Sequence, residues 1–309
     1  MRPAVYIPNY NGSERLGRTL HSLREQSRPL DVVVVDNGSS DGSVALLREE
    51  FPEVALLALE RNLGFGPAIN RAVDEHPADP MILLNNDVEC EPRFVEALLD
   101  AAAEGVQTVA GVLVQEREPA LIDSAGVVAD STLMGFDYLH GEPVETALTA
   151  ADPLGPTGGA ALYDRAAFAA VGGFDERIFL YYEDLDLALR LAAAGARCRL
   201  AGAARALHAY SASLGAKSGQ KFAHTGWSRG YMLRRYGVMS QPRLAVRALA
   251  CEGALCAGQL LLDRSAKGIG GRLRGWRGGG GLERRDLGDA GLLGISAQEA
   301  LALRRRRRG

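Results

Sequence analysis

The segment AVYIPNYNG, residues 4–12, decides the fold, because a short apolar run ends abruptly in polar residues and glycine. Three more apolar runs repeat this pattern, and segments with helical periodicity separate them. The four predicted strands are Ala4–Ile7, Val32–Val35, Val54–Ala58 and Met81–Leu84. Their continuous hydrophobicity is typical of strands that are buried on both faces. This alternation of strands and helices predicts an α/β fold with a doubly wound, mostly parallel sheet flanked by helices.

A polar loop follows each predicted strand, and the four loops read PNYNG, DNGSSDG, RNLGFG and NND. Because ligands bind beyond the carboxyl ends of parallel strands, we expect these loops to converge at one edge of the sheet. Asp36 ends the second strand, Asp87 follows the fourth, and Glu183–Asp184 opens a later helix. A sugar-nucleotide transferase must hold a nucleoside, neutralise a diphosphate and deprotonate a hydroxyl, and these groups could supply all three functions.

Composition excludes several classes of protein. The 309 residues are 47% hydrophobic and carry a net charge of −3, so the chain can bury a core and its overall charge does not indicate nucleic acid. The N-terminal apolar run is too short for a signal peptide. The cysteines show no C-x-x-C spacing, which predicts reduced thiols in the cytoplasm. The cysteines are Cys90, Cys198, Cys251 and Cys256.

Five motifs occur in order along the chain: VDNGSSDGS (35–43), RNLGFGPAIN (61–70), LLNNDVE (83–89), GGFDERIF (172–179) and YYEDLDLALR (181–190). Together they resemble the motifs of family 2 glycosyltransferases, in particular bacterial rhamnosyltransferase-type enzymes, over roughly residues 3–235. The resemblance implies a GT-A fold and inversion at the anomeric carbon. It implies a nucleotide-sugar-binding half at 1–105 and an acceptor-binding and catalytic half at 106–216. Residues 217–309 are predicted to form a helical extension with a basic, loosely ordered tail.

The resemblance implies nucleotide-sugar contacts for a set of residues at the strand ends. Asp36 would accept a hydrogen bond from a pyrimidine N3–H, and its alternative role is that of a turn carboxylate. Gly64 would bring the backbone close to the nucleotide, unless it serves only the geometry of the loop. The implied set is Pro8, Asn9, Tyr10, Asp36, Arg61, Asn62, Gly64, Asn86 and Gly159, with Gly158 beside the donor sugar.

The segment LLNNDVE stands where the family has its D-x-D metal motif. Asn85 replaces the first acid, which leaves Asp87 as the strong ligand. His208 matches the histidine that some relatives add to the metal, although a lone histidine is as often an ordinary hydrogen-bonded residue. One carboxylate together with diphosphate oxygens is a reasonable ligand set for Mg²⁺ or Mn²⁺.

Within YYEDLDLALR, Asp184 is the predicted general base and Glu183 is its neighbour. Both would lie at a helix N-terminus, where the helix dipole favours a charged carboxylate. The alternative is helix capping, for which Asp is a favoured residue, with Asp186 as a simple first-turn acid. Trp227 and Tyr231 are candidates for an acceptor platform, but packing in the core is the commoner role of such aromatic residues.

The sequence therefore predicts a metal-dependent, inverting glycosyltransferase. It would move a sugar, with rhamnose expected from the family, from a nucleoside-diphosphate donor to a glycan or lipid-linked acceptor in cell-envelope or polysaccharide synthesis. The alternatives are a catalytically impaired sugar-nucleotide-binding protein, which Asn85 favours, and a nucleotidyltransferase, which would need a glycine-rich basic loop in place of PNYNGSER. A Rossmann dehydrogenase is excluded because GFGPAI lacks the G-x-G-x-x-G spacing.

The C-terminal part of the chain carries a second signal. Leu244–Leu262 and the RRRRR run at 304–308 predict a cytoplasmic protein that is peripheral on the inner face of the cell membrane. A packed helix followed by a solvated charge run explains the same pattern equally well. Arg247 and Glu252 speak against a transmembrane span. Nucleic acid is not an expected partner, because no aromatic residues interleave with the terminal arginines.

Overall fold

The computed structural model of the protein describes residues 2–102, 104–209 and 218–287. Its strands are β1 Ala4–Asn9, β2 Asp31–Asp36, β3 Ala55–Ala58, β4 Met81–Leu84, β5 Val88–Cys90, β6 Thr108–Gln115, β7 Ile122–Ser124, β8 Val127–Ala129, β9 Gly135–Asp137, β10 Ala160–Tyr163 and β11 Cys198–His208. Its α-helices are α1 Ser13–Arg24, α2 Ser43–Glu50, α3 Phe65–Glu75, α4 Phe94–Ala101, α5 Arg165–Ala170, α6 Glu183–Ala193, α7 Gly219–Arg235, α8 Pro242–Leu261 and α9 Lys267–Gly278.

One large sheet organises these elements in the order β3-β2-β1-β4-β10-β6-β11-β5, with β7 paired to β6. Strands β1 to β4 are the four strands predicted from the sequence, and their pairings with one another are parallel. Strands β6 and β11 run in the same direction, whereas β5, β7 and β10 run against it. The predicted α/β class and mostly parallel sheet are confirmed.

Alternate residues of the central strands pack on opposite layers of helices. Val5 and Ile7 of β1 lie in one core with Leu16 of α1. Tyr6, between them, lies in a second core with Ile69 of α3. Since both faces of the sheet are covered, the interior positions of β1, β2, β3 and β4 are apolar, and polar residues follow where these strands end. This arrangement delivers the loops after β1, β2, β3 and β4 to one edge of the sheet.

Helix α9 forms in the glycine-rich segment after α8, which corrects the expectation of a loosely ordered chain where the helix overlaps the last 40 residues. Helix α9 packs directly against α7, with glycines on both helices at the contact. A Cβ at Gly230 would lie 2.8 Å from the carbonyl carbon of Arg272, and one at Gly275 would lie 2.7 Å from that of Trp227. Glycine is needed because the two backbones approach too closely for a side chain. The RRRRR run lies outside the described residues.

A buried ion-pair cluster ties the extension together. Arg229 of α7 is 1% exposed, and its guanidinium pairs with Glu252 of α8 at 2.7 Å. Arg272 of α9 pairs with the other oxygen of Glu252 at 2.6 Å. Because an unpaired buried charge is costly, this cluster fixes how the three helices pack.

The close contact of α7 and α9 predicts that replacing a helical glycine with alanine lowers stability here, the opposite of the usual effect. Gly230→Ala should lower the melting temperature, although helix propensity alone favours Ala over Gly by about 1 kcal/mol. The matched control is Gly253→Ala in α8, where a Cβ meets no described heavy atom within 4 Å and the propensity gain should appear. Thermal unfolding of both variants checks the contact. Equal stabilisation by the two substitutions would show that α7 and α9 do not pack backbone to backbone.

Candidate active site

A buried asparagine connects three of the polar loops at the carboxyl edge of the sheet. Asn9 is 1% exposed, and its amide nitrogen donates to Oδ1 of Asp36 at 3.0 Å. The amide of Asn86 donates to Oδ1 of Asn9 at 2.7 Å. Asp36 also accepts from the backbone N–H of Ser39 at 3.0 Å, so it does serve as a turn carboxylate. The predicted residues of three loops thus come together as one hydrogen-bonded group.

The loop after β3 is held by Asn37, a residue that no motif reasoning singled out. Its side chain donates to the carbonyl of Gly64 at 2.9 Å and accepts from the N–H of Leu63 at 2.8 Å. Gly64 has φ +96°, and a Cβ there would lie 2.9 Å from the Cα of Phe179. The close approach of the protein's own backbone therefore requires glycine here, and the approach of this loop to the nucleotide stays a prediction. Asn62 supports the turn by accepting from the N–H of Gly64 at 2.9 Å.

The remaining predicted nucleotide contacts lie around these loops. Pro8 is the penultimate residue of β1 and pairs with Val35 of β2. Tyr10, which follows β1, is 48% exposed, and Arg61 is also exposed. These two side chains are therefore accessible to a ligand at this edge of the sheet.

Asp87 directly precedes β5 and His208 ends β11, and the pairing of these two strands brings the two side chains close together. Nε2 of His208 lies 3.5 Å from Oδ1 of Asp87. Nδ1 of the same ring lies 2.6 Å from Oδ2 of Asp123. Burial disfavours the charged imidazole, but hydrogen bonds to Asp123 and Asp87 and their charges outweigh it and raise the pKa of His208 to about 10. Asp123 was missed in the sequence because it lies where the pattern of strands is weak.

These residues fit a divalent ion only if the ion displaces the Nε2 proton that the raised pKa of His208 favours, because a ligating imidazole must be deprotonated. A carboxylate that orients a histidine from its far nitrogen is a common support for a metal ligand, and Asp123 holds His208 in this way. Within the described ranges no group of three or more His, Cys, Asp or Glu side chains is arranged to hold a metal. Asp87 and His208 would therefore leave most coordination positions to diphosphate oxygens and water, as Mg²⁺ prefers.

The predicted acid pair opens α6 after a strained turn. Tyr181 has φ +68° and Tyr182 has φ +73°, and successive left-handed non-glycine residues are uncommon outside functional sites. Asp184 accepts from the N–H of Leu185 at 2.7 Å. Its second oxygen lies 3.5 Å from the backbone N of Gly158, in the turn that precedes β10.

The two carboxyl groups differ in their surroundings. Burial and the charge of Asp184 raise the pKa of Glu183, whose Oε2 has no hydrogen-bond partner within the described part of the chain. Burial, with a contribution from the charge of Asp137, raises the pKa of Asp184, which backbone N–H donors partly offset. Asp184 therefore loses its proton more readily than Glu183. A carboxylate with a pKa raised towards neutrality suits a general base.

Asp186 lies in the first turn of α6, but it does more than the simple first-turn acid of the helix-capping alternative. It is fully buried and pairs with Arg190, one turn further along α6, at 2.8 Å. It also pairs with Arg285, which follows α9, and accepts from the hydroxyl of Tyr236 at 2.9 Å. The sequence could not show this, because the partner lies 99 residues away.

Arg285 extends the same network to the GGFDE motif. Its guanidinium lies 2.7 Å from Oδ2 of Asp175, and the hydroxyl of Tyr231 donates to the same oxygen at 2.6 Å. Tyr231 is fully buried and stacks on Trp227, with ring centroids 5.1 Å apart. The core-packing alternative is therefore correct for Tyr231, which cannot form an exposed acceptor platform.

Comparison with known proteins identifies the family of the chain. The profile of glycosyl transferase family 2 matches residues 4–172. The chain is 32% identical over 265 residues to the N-acetylglucosaminyl-diphospho-decaprenol L-rhamnosyltransferase of Mycobacterium tuberculosis, a match covering 74% of this chain and 86% of the relative. It is 34% identical over 123 residues to the undecaprenyl-phosphate 4-deoxy-4-formamido-L-arabinose transferase of Pectobacterium carotovorum, covering 37% of this chain and 38% of the relative.

Solved structures show the same fold. The mannosyltransferase PcManGT from Pyrobaculum calidifontis, in complex with GDP-Man and Mn²⁺, superposes with a TM-score of 0.53 at 17% identity, over 90% of this chain and 86% of that one. Residues 1–349 of S. aureus TarS give a TM-score of 0.51 at 19% identity, over 75% of this chain and 66% of that one. The fold is GT-A, as expected, and the match to the family profile sets the nucleotidyltransferase alternative aside.

The geometry at Asp87 predicts a metal-linked loss of nucleotide affinity. Asp87→Ala should remove most of the gain in nucleoside-diphosphate affinity that Mg²⁺ or Mn²⁺ gives, a loss of about tenfold or more. Asp74→Ala, on the exposed surface of α3, makes the same charge change away from the site and should keep the gain. Calorimetric titration with and without metal measures both variants. An unchanged metal effect in Asp87→Ala would refute the ligand assignment.

Proposed function

Because the chain belongs to glycosyl transferase family 2, we propose that it transfers a sugar from a nucleoside-diphosphate donor to an acceptor hydroxyl with inversion. One observation carries this proposal: a single glycine turn joins the two candidate halves of the site. The carbonyl of Gly159 lies 3.4 Å from the N–H of Asn85, two residues before Asp87. The neighbouring Gly158 faces Asp184. A donor whose diphosphate lies at Asp87 would therefore present its sugar near Asp184.

Asp184 acts as the general base in this proposal. As the acceptor oxygen attacks the anomeric carbon, Asp184 takes the hydroxyl proton, and the bond from that carbon to the diphosphate breaks on the opposite face. Glu183 retains its proton longer and so limits the repulsion that a second buried carboxylate would cause. Asp184 lies at the N-terminus of α6, where the helix dipole stabilises its ionised form before the transfer.

Asp87 and His208 are the residues that would hold Mg²⁺ or Mn²⁺, with Asp123 orienting the imidazole ring. The bound ion would neutralise the charge that develops on the leaving diphosphate. The complex of the Pyrobaculum calidifontis mannosyltransferase with GDP-Man and Mn²⁺ supports a metal on this fold. Asn86 and the loops fixed by Asn9, Asp36 and Asn37 would hold the nucleotide itself.

We propose rhamnose as the transferred sugar and a lipid-linked glycan as the acceptor. The extended similarity to an N-acetylglucosaminyl-diphospho-decaprenol L-rhamnosyltransferase supports both choices. The shorter match to a transferase named for undecaprenyl phosphate supports a lipid-linked substrate. A role in cell-envelope polysaccharide synthesis at the cytoplasmic face of the membrane follows from such an acceptor.

The stereochemistry of the product tests the proposed displacement. Direct attack by the acceptor hydroxyl should give a glycosidic linkage of anomeric configuration opposite to that of the donor. A panel of dTDP, UDP and GDP sugars with Mg²⁺ or Mn²⁺ and a polyprenyl-diphosphate acceptor, followed by NMR of the product, measures the configuration. Retained configuration would refute the displacement. Donor binding without any product across the panel would instead indicate the catalytically impaired binding protein.

A further inference from the structure

Helix α8 carries an apolar face that nothing in the described ranges covers. Its most exposed apolar residues recur at helical spacing and continue past the end of the helix. They are Val246 at 70% exposure, Leu249 at 62%, Leu260 at 44%, Leu261 at 79% and Leu262 at 79%. Only small residues, such as Gly253 and Ala257, separate them on this face. An uncovered apolar surface of this length usually marks an interaction site.

The other side of α8 is fixed to the protein. Ala248 is fully buried, and Glu252 forms the ion pairs with Arg229 and Arg272 that join the three helices of the extension. By length and composition α8 could cross a membrane, since it has 20 residues and a mean hydropathy of 1.4. Crossing would break the Glu252 pairs and leave buried charges without partners, which is costly. The helix therefore stays on the domain and offers one long side, about 30 Å at 1.5 Å per residue.

The charge around this face favours an anionic surface over a second copy of the chain as its partner. Residues 217–309 contain 19 Lys and Arg against six Asp and Glu, whereas residues 1–216 contain 16 against 32. Exposed cations lie at both ends of the apolar face, with Arg243 before it and Arg264 and Lys267 after it. Two copies of the chain meeting through α8 would bring these like charges together. An anionic surface would attract them instead.

We propose that the outward face of α8 docks on an anionic lipid bilayer. The helix lies in the plane of the interface, with Leu249, Leu260 and Leu261 among the upper acyl chains and the flanking cations among the head groups. Docking would bring the domain to a lipid-linked acceptor, and only this purpose rests on the proposed function. The binding itself is measured without donor or acceptor.

Co-flotation of the full-length protein with vesicles tests the docking. The protein should float with vesicles of phosphatidylcholine and phosphatidylglycerol, bind weakly to phosphatidylcholine alone, and dissociate as salt is raised. Leu249→Glu should weaken binding by about tenfold or more, because an apolar anchor becomes a charge of the wrong sign. Leu148→Glu is the matched control, since Leu148 is 57% exposed in the catalytic half and should change nothing.

Either of two results overturns the proposal: unchanged vesicle binding of Leu249→Glu, or absence of binding to anionic vesicles. Unchanged binding of Leu249→Glu would mean that the terminal arginines, rather than α8, hold the protein on the vesicle. Absence of binding to anionic vesicles, together with a dimer that Leu249→Glu dissociates in sedimentation, would assign the face to a second copy. Melting temperatures of both variants should stay near that of the wild type, because both side chains are exposed. Failure of sugar transfer with intact vesicle binding would refute the proposed function alone.

Discussion

The buried pairing of Asp186 with Arg285 is the constraint on which the geometry of the site depends. Asp186 lies two residues after Asp184 on α6, and Arg285 lies beyond α9. Arg285 also pairs with Asp175, so a single cation satisfies two buried carboxylates. Without it, both charges would remain buried and less compensated, a situation that typically costs several kcal/mol. Helix α6, which carries the proposed catalytic pair, is therefore held in place by the extension, and both lie outside the profile match at 4–172.

The two ends of the candidate site place their ionisable groups in different electrostatic surroundings. At one end, Asp87 and Asp123 lie against His208 and raise its pKa, so a divalent ion held by Asp87 and His208 would have to displace the Nε2 proton of the ring. At the other end, Glu183 and Asp184 are buried beside each other and favour protonation. A base in such surroundings accepts a proton more readily than an exposed carboxylate does. In the proposed reaction, group transfer between the two ends would use both properties.

The sheet and its polar loops were predictable because they follow from local pattern. A strand buried on both faces is apolar throughout, so Asn9 and Asp36 stand out where their strands end. Asn37, Asp123 and the partner of Asp186 were not predictable, since their roles depend on residues far away in the sequence. The prediction of a loosely ordered chain at the glycines of α9 was wrong, because a glycine-rich composition by itself is typical of disordered segments. In α9 the absence of a side chain is what allows the close contact with α7.

Asp184→Asn tests the central assignment most directly. Asn keeps the shape of the side chain and an oxygen that accepts from the N–H of Leu185, but it cannot take a proton. The melting temperature and the single-turnover rate should be measured on the same preparation. We expect folding and donor affinity near the wild-type values and a transfer rate lower by about 10²- to 10⁴-fold. A lower melting temperature with nearly intact turnover would contradict the assignment and leave Asp184 as a helix cap.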